Sequence, residues 1–294
     1  MSDHAPIRLL VNPAAGRGRA LRRLDSARHA LARAGPFDMV TTEHAGDESR
    51  LAIEAARDGV RTLVVLGGDG TISRVAAALV EAQAETALAI FGAGTGNDLA
   101  KTLGAPVFDF DAMTARVYHN DPRVIDVGVA DERIFVNAVG VGFDVAVLER
   151  TSRARWLRGD ALYGVTALGQ LFQFAGVDAR IETGLDMPAN RGQTSSMHVP
   201  GALAAVQRRW LTIVVANGQW FGGAFRIAPD ASVSDGRLDL VAIGDASPMR
   251  RAQLFGGAPW GTHVRAAEVV YAQHPRVLLH FNAPPRFQAD GELY

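Results

Sequence analysis

Three glycine-rich stretches hold the residue types that phosphate chemistry needs. They are Asn12-Pro13-Ala14-Ala15-Gly16, Gly67-Gly68-Asp69-Gly70-Thr71 and Gly92-Ala93-Gly94-Thr95-Gly96-Asn97-Asp98. Glycine lets a backbone approach a phosphate closely. A helix that starts just after such a loop offers free N–H groups and a positive dipole end to an anion. Helices expected from Thr71 and from Asn97 would supply both. Carboxylates lie in the same loops at Asp69 and Asp98, and a further one follows at Asp126. Carboxylates beside phosphates repel unless a cation lies between them, so this set implies Mg²⁺, which takes oxygen ligands and keeps several waters. Taken singly, each loop also reads as a tight turn, and Asp98 as a helix cap. Their occurrence together after predicted strands, at one sheet edge, favours phosphate binding.

The pattern excludes two familiar nucleotide motifs. No G-x-x-x-x-G-K-[ST] occurs, and no G-x-G-x-x-G opens the first helix. Lys101 is the sole lysine. Charge neutralisation therefore falls to backbone groups, arginines and a metal ion.

The elements that must position these loops alternate. Residues 7–11 form an apolar run ending at Asn12-Pro13, which reads as a buried strand entering a loop. Leu21, Leu24, Ala27, Leu31 and Ala34 follow at helical spacing, stopped by Gly35-Pro36. Strands are expected over 39–42, 62–66 and 87–91, and helices over 47–58, 71–82 and 97–103. Such alternation gives a mostly parallel sheet covered by helices, with the glycine loops at its carboxyl edge. Beyond residue 122 strand-like runs dominate, over 124–129, 134–139, 211–217, 238–243 and 277–281. The fold class is thus an α/β N-terminal domain, residues 1–122, followed by a β-rich antiparallel domain, residues 123–294. One helix is expected over 160–174 and a polar loop over 184–201.

Composition bounds the rest. The 294 residues are 48% hydrophobic and 21% charged, which fits a folded globular chain. A net charge of -1 gives no overall pull towards nucleic acid. Cysteine is absent, which removes disulfides, thiolate metal sites and cysteine nucleophiles. The cluster Arg17, Arg19, Arg22, Arg23 and Arg28 reads as a solvated helix face or as a phosphate contact. No apolar run reaches the roughly 20 residues that span a bilayer, and no signal peptide is apparent. A cytoplasmic protein is expected.

In order, these residues resemble the diacylglycerol kinase catalytic family, which includes bacterial lipid kinases, sphingosine kinases and ceramide kinases. Asn12 to Gly16 resembles its NPxxG loop, Gly67 to Thr71 its GGDGT motif, and Gly94 to Ala100 (GTGNDLA) its GTxNDxA motif. Asn217-Gly218, Gly222-Gly223, the run from Arg226 to Ala231 and Asp235-Gly236 resemble its second-domain signature, and Asp290-Gly291-Glu292 its DGE. GGDGT is shared with NAD kinases; GTxND together with DGE is far more specific.

The resemblance implies an ATP- and Mg²⁺-dependent lipid kinase with ATP in the cleft of a two-domain architecture. Asn12, Gly16, Gly67, Gly68, Gly70, Thr71, Gly94 and Asn97 would form the nucleotide loops, and Thr42 and Thr95 would touch the nucleotide. Asp69, Asp98 and Asp126 would order the catalytic Mg²⁺ and its waters. Glu292 would take the proton from the lipid hydroxyl, a sensible role for a carboxylate beside a neutral alcohol. A second, structural Mg²⁺ would sit at Ser232, Asp235 and Arg237, the outer two through backbone carbonyls; a simple Ser-Asp-Gly turn is the other reading. The partner is a lipid met peripherally at a membrane surface. Trp156, Leu157, Tyr163, Leu168, Leu171, Phe172, Phe174, Trp220 and Phe221 read either as an acyl-chain cleft or as core, and Trp210 and Trp260 are equally open. The sequence ends at Tyr294, so Glu292 is expected to be loosely held. NAD kinase, and a non-catalytic lipid or nucleotide sensor on the same fold, are the competing functions. Which lipid is used and the oligomeric state stay open.

Overall fold

A computed structural model describes residues 6–119, 122–153, 173–183 and 206–294, with 169 and 171. The expected loop over 184–201, most of the expected helix over 160–174, and Trp156, Leu157, Tyr163, Leu168 and Phe172 lie outside the described residues. The described chain forms two compact units. The first runs to Ile125 and includes Ile134–Val136; the second takes Asp126–Arg133 and Asn137–Tyr294.

The first unit is a parallel α/β layer structure. Strands β1 (Ile7–Val11), β2 (Asp38–Thr41), β3 (Thr62–Gly67) and β4 (Ala87–Gly92) pair in the order β2-β1-β3-β4. All three pairings are parallel. Every residue of β1 and β3 is buried; all but Arg8, which pairs with Asp58 at 2.8 Å, and Thr62 are apolar or glycine, as strands covered by helices on both faces require. The helices are α1 (Ala15–Ala34), α2 (Asp47–Arg57), α3 (Asp69–Glu81), α4 (Asp98–Thr102) and α5 (Phe110–His119). Ala20, Ala27, Ala30 and Leu31 of α1 pack into one core cluster with Ile7, Leu9, Val64 and Leu66. The same cluster takes Phe110, Met113 and Val117 of α5. Phe110 stacks on Phe91 with ring centroids 4.8 Å apart.

The second unit is built on an antiparallel sheet. Strand β7 (Ala138–Gly142), β9 (Val206–Ala216), β10 (Leu238–Gly244) and β11 (Val269–His274) are successive neighbours, and β8 (Val177–Thr183) joins β9 and β12 (Val277–Phe281). A two-residue-a-side hairpin, β13 (Gln288–Ala289) and β14 (Glu292–Leu293), extends the sheet from β7. From Trp210 onward strand β9 is buried on both faces. Leu211, Val214 and Ala216 enter one core cluster, and Trp210, Ile213 and Val215 the other. Helices α6 (Phe143–Arg153) and α7 (Pro248–Gly257) complete the unit.

Several details differ from the sequence expectation. The strand expected over 124–129 contracts to β5 (Gly128–Ala130), and Val124 is 91% exposed. The run over 134–139 breaks into β6 (Arg133–Phe135) and β7. The break falls where the Asp290 carboxylate accepts the N–H groups of Asn137 and Ala138, at 2.9 and 3.0 Å. The two tryptophans separate: Trp210 is wholly buried and donates its indole N–H to the Ala179 carbonyl at 3.0 Å, whereas Trp260 is 73% exposed. Among the described residues no helix is long and apolar enough to cross a membrane.

Candidate active site

The carboxyl ends of β1 to β4 deliver Asn12, Thr42, Gly67–Gly68 and Ala93–Gly94 to one edge of the parallel sheet. The loops there interlock. Asn12 leaves β1 with its N–H on the Leu66 carbonyl at 3.1 Å, and its amide donates to the Thr71 hydroxyl at 2.9 Å. Thr42, just past β2, is buried and bonds the Val11 carbonyl through its N–H at 2.9 Å. Gly16 has φ +58°, and a Cβ there would lie 1.9 Å from the Ala93 carbonyl oxygen. Only glycine allows the first and third loops to approach this closely. Gly68 and Gly94 likewise meet backbone to backbone; a Cβ on Gly94 would stand 3.0 Å from the Gly68 Cα.

The Asp69 carboxylate joins the second loop to the third. One oxygen accepts the Asn97 N–H and the other the Asp98 N–H, each at 2.7 Å. Asn97 makes this possible by adopting a left-handed backbone, φ 52°. Its own side chain closes the turn, accepting from the Gly94 N–H and donating to the Gly94 carbonyl, both at 3.1 Å. This corrects one expectation. The first N–H groups of α4 are not free for a phosphate, because the Asp69 carboxylate already fills the anion position at that helix start. Asp98 is buried and forms a 3.8 Å ion pair with Lys101.

Two arginines of the basic cluster belong to this edge. Arg19 donates to the Gly16 carbonyl at 3.1 Å and to the Thr95 hydroxyl at 2.6 Å. Arg23 donates to the Gly92 carbonyl at 2.8 Å and stacks on Phe108 at 4.3 Å. Burial, with Arg19 and Arg22 nearby, lowers its pKa. The sequence signal was their spacing, three and seven residues after Gly16 in a run with Gly16, Arg17 and Gly18 all at positive φ.

In the second unit Asp126 and the 230–237 loop come together. The Asp126 N–H donates to the Val233 carbonyl at 2.6 Å, its carboxylate accepts the Gly236 N–H at 2.7 Å, and its carbonyl accepts from Asn217 at 2.9 Å. Asp235 accepts the Arg237 N–H at 3.0 Å, and the Ser232 hydroxyl lies 3.5 Å from that of Ser234. Beneath this loop Asp239 is fully buried, and its carboxylate accepts from Tyr271 and Gln273. Burial pushes its pKa up to about 6, with the charges of Asp235 and Asp230 adding to the rise.

Glu292 sits half-buried on the β13–β14 hairpin, opposite Ala289. Its turn, Asp290-Gly291, has both residues at positive φ, 49° and 87°, the backbone that suits an Asp-Gly hairpin turn. Glu292 accepts from the Tyr294 hydroxyl at 3.1 Å. Tyr294 in turn exchanges backbone bonds with Phe287, at 2.9 and 3.2 Å, and its ring lies 3.9 Å under the Arg133 guanidinium. The expectation of a loosely held Glu292 is therefore corrected: the paired ends of the hairpin hold it.

Among the described residues no group of three or more His, Cys, Asp or Glu side chains could hold a metal ion. Hard divalent cations take oxygen ligands, and Asp98 in the first unit and Asp126 in the second each carry a carboxylate. At the 230–237 loop the charges of Asp235 and Asp230 add to the burial that raises the Asp239 pKa.

A parallel sheet with interlocked glycine loops is thus followed in sequence by an antiparallel unit carrying an Asp-Gly-Glu hairpin. The diacylglycerol kinase catalytic domain matches residues 6–130, and the YegS C-terminal NAD kinase beta sandwich-like domain matches 137–294. The second match covers more than half of the chain, which belongs to that family, and the chain's first part matches the diacylglycerol kinase catalytic domain. It is 27% identical to the diacylglycerol kinase of Bacillus subtilis over 97% of this chain and 89% of that one. It is 31% identical to a protein of Pseudomonas putida named as a YegS-like lipid kinase, over 70% of this chain; the match spans 64% of the length of that relative. A crystal structure named for a diacylglycerol kinase from Bacillus anthracis superposes with a TM-score of 0.68 at 20% identity, covering 97% of this chain and 89% of that one.

Proposed function

We propose that this protein transfers the γ-phosphate of ATP to a lipid hydroxyl, with diacylglycerol or a similar lipid as acceptor. The observation that carries the reading is the interlocked edge of the first unit: GGDGT and GTGND are welded by Asp69 into one rigid surface. Phosphoryl transfer asks mainly for positioning and charge neutralisation, and such a surface supplies positioning.

In this reading the Asn12–Gly16 loop, Gly67–Thr71 and Gly94–Asn97 hold the nucleotide, with Thr42 and Thr95 beside it. Arg19 serves the same purpose twice, fixing Thr95 and leaving a cation at the loop. Asp98 and Asp126 would hold Mg²⁺, which neutralises the phosphate oxygens. Glu292 accepts the proton from the lipid hydroxyl. The hydroxyl oxygen bonds to the γ-phosphorus, the bond from that phosphorus to the β–γ bridging oxygen breaks, and ADP leaves. The lipid acceptor is met at a membrane surface.

The test is transfer from labelled ATP, with Mg²⁺, to a panel of lipids in mixed micelles, with NAD as a control acceptor. A labelled lipid supports the reading and names the substrate class. Labelled NADP, or ATP bound without transfer to any lipid, overturns it.

A further inference from the structure

We propose that Asp144, acting through Gln288, is a positioning residue that sets the orientation of the Glu292 hairpin. The inference rests on the reading of Glu292 as the base, and it adds a residue to that site.

Asp144 opens α6 and is buried. One of its carboxylate oxygens accepts the Thr212 hydroxyl at 3.0 Å. The other is buried without a hydrogen-bond partner of standard geometry, and so is the amide nitrogen of Gln288. These two atoms face each other over Gly140: a Cβ on that glycine would meet the free Asp144 oxygen at 1.9 Å and the Gln288 nitrogen at 2.8 Å. Only a glycine in β7 leaves them room. The far end of the same amide is committed. Its oxygen accepts the Gly291 N–H at 2.7 Å, inside the turn that leads to Glu292.

An amide has one donor end and one acceptor end. A charged Asp144 holds the donor end, which leaves the acceptor end for Gly291. A protonated Asp144, or an asparagine there, presents a donor instead and favours the flipped amide. The flip sets N–H against the Gly291 N–H and breaks the tie. Among the described residues, the groups that meet Asp144 from the packed elements are neutral: Thr212 from β9, Gln288 from β13, Gly140 from β7, and the N–H groups of Asp144 and Val145 on α6. Burial is the main influence on it and raises its pKa to about 6, against the opposing hydrogen bonds. The hairpin is thus tied when Asp144 is ionised and released as pH falls through that value.

Two readouts test this in the full chain. The first needs no activity: hydrogen exchange at the Gly291 amide, corrected for the intrinsic rate. Protection is expected above pH 6, falling below it, and absent at every pH in Asp144→Asn. The second is kinetic. Asp144→Asn should lower kcat about tenfold or more, as expected for a base moved by a fraction of an ångström, leave the KM for ATP unchanged, and remove the acid limb near pH 6. Combining Asp144→Asn with Gln288→Glu restores an acceptor that faces both the new amide at position 144 and the Gly291 N–H, and should recover kcat at pH 8. Should Asp144→Asn fail to fold, Thr212→Val serves: it removes a bond that lowers the Asp144 pKa, so the exchange and activity limbs should both move to higher pH. Gly291 protection indifferent to Asp144→Asn, or limbs unmoved by Thr212→Val, overturns the proposal. Wild-type protein with the expected exchange pattern but no lipid kinase activity leaves the tie standing and overturns the kinase reading instead.

Discussion

The bond between Asp69 and the start of α4 can be tested as a clamp. Asp69→Asn keeps one carbonyl oxygen for one of the two N–H donors at Asn97 and Asp98 and turns an amide donor towards the other. One charge-assisted bond is lost, the remaining one is weakened, and two donors are set against each other. Hydrogen bonds to a charged group contribute about 1.5–3 kcal/mol each, so the change should cost about 2–4 kcal/mol. For a unit of this size that corresponds to a fall in Tm on the order of 10 °C. The assay is thermal unfolding in EDTA without nucleotide, where metal and phosphate can play no part. A different outcome follows if Asp69 serves only to face a metal ion. Without the metal its carboxylate would repel Asp98, and the variant would melt at or above the wild-type temperature. That result would refute the clamp.

Other outcomes follow from the same geometry. Gly16→Ala places a Cβ against the Ala93 carbonyl and holds alanine at φ +58°; the left-handed backbone alone costs about 1–2 kcal/mol, so both a lower Tm and a higher KM for ATP are expected, and a wild-type KM would contradict the loop packing. Glu268 is held down to about 2 by its paired bonds to Arg250. Its folded pKa lies below the unfolded one, so the pair stabilises above the ordinary carboxylate range near 4.5 and the contribution is lost as pH falls through about 2. Wild type and Arg250→Ala should therefore differ in Tm at about pH 5 and converge towards about pH 2; a constant difference would argue for packing instead. Trp210→Ala empties a wholly buried site and leaves the Ala179 carbonyl without its donor; a loss of about 3–5 kcal/mol is expected from chemical denaturation, and a loss below about 1 kcal/mol would contradict the core assignment.

The first unit was readable because β1, β3 and β4 are mainly apolar runs ended by glycine or Asn-Pro. Ile7–Val11 matched to the residue, and β3 and β4 differed only by including Gly67 and Gly92. Helix α5 was overlooked although Phe110, Met113, Thr114 and Val117 lie at helical spacing; its buried face spans only about two turns and begins between Asp109 and Asp111. The second unit was harder to read. Strands of two or three residues such as β13 and β14 have no period to detect, and the break at Asn137 depends on Asp290, far along the chain. The candidate loops were legible from glycine and carboxylate type. Their connections were not, since the Asp69 clamp and the Arg19 bond to Thr95 join residues 28 and 76 positions apart. Asp144 escaped notice for the same reason, being an isolated aspartate in an apolar stretch whose partners come from β9 and β13.

The most direct test of the account is phosphate transfer from ATP to lipid by wild type and by Glu292→Gln, under identical Mg²⁺ and pH, with ATP binding measured alongside. The account predicts labelled lipid from wild type, a loss of about a hundredfold or more in the variant, in the range that general base catalysis contributes, and equal ATP binding by both. Equal transfer by the two proteins would remove Glu292 as the base, and no transfer by wild type to any lipid would contradict the kinase assignment itself.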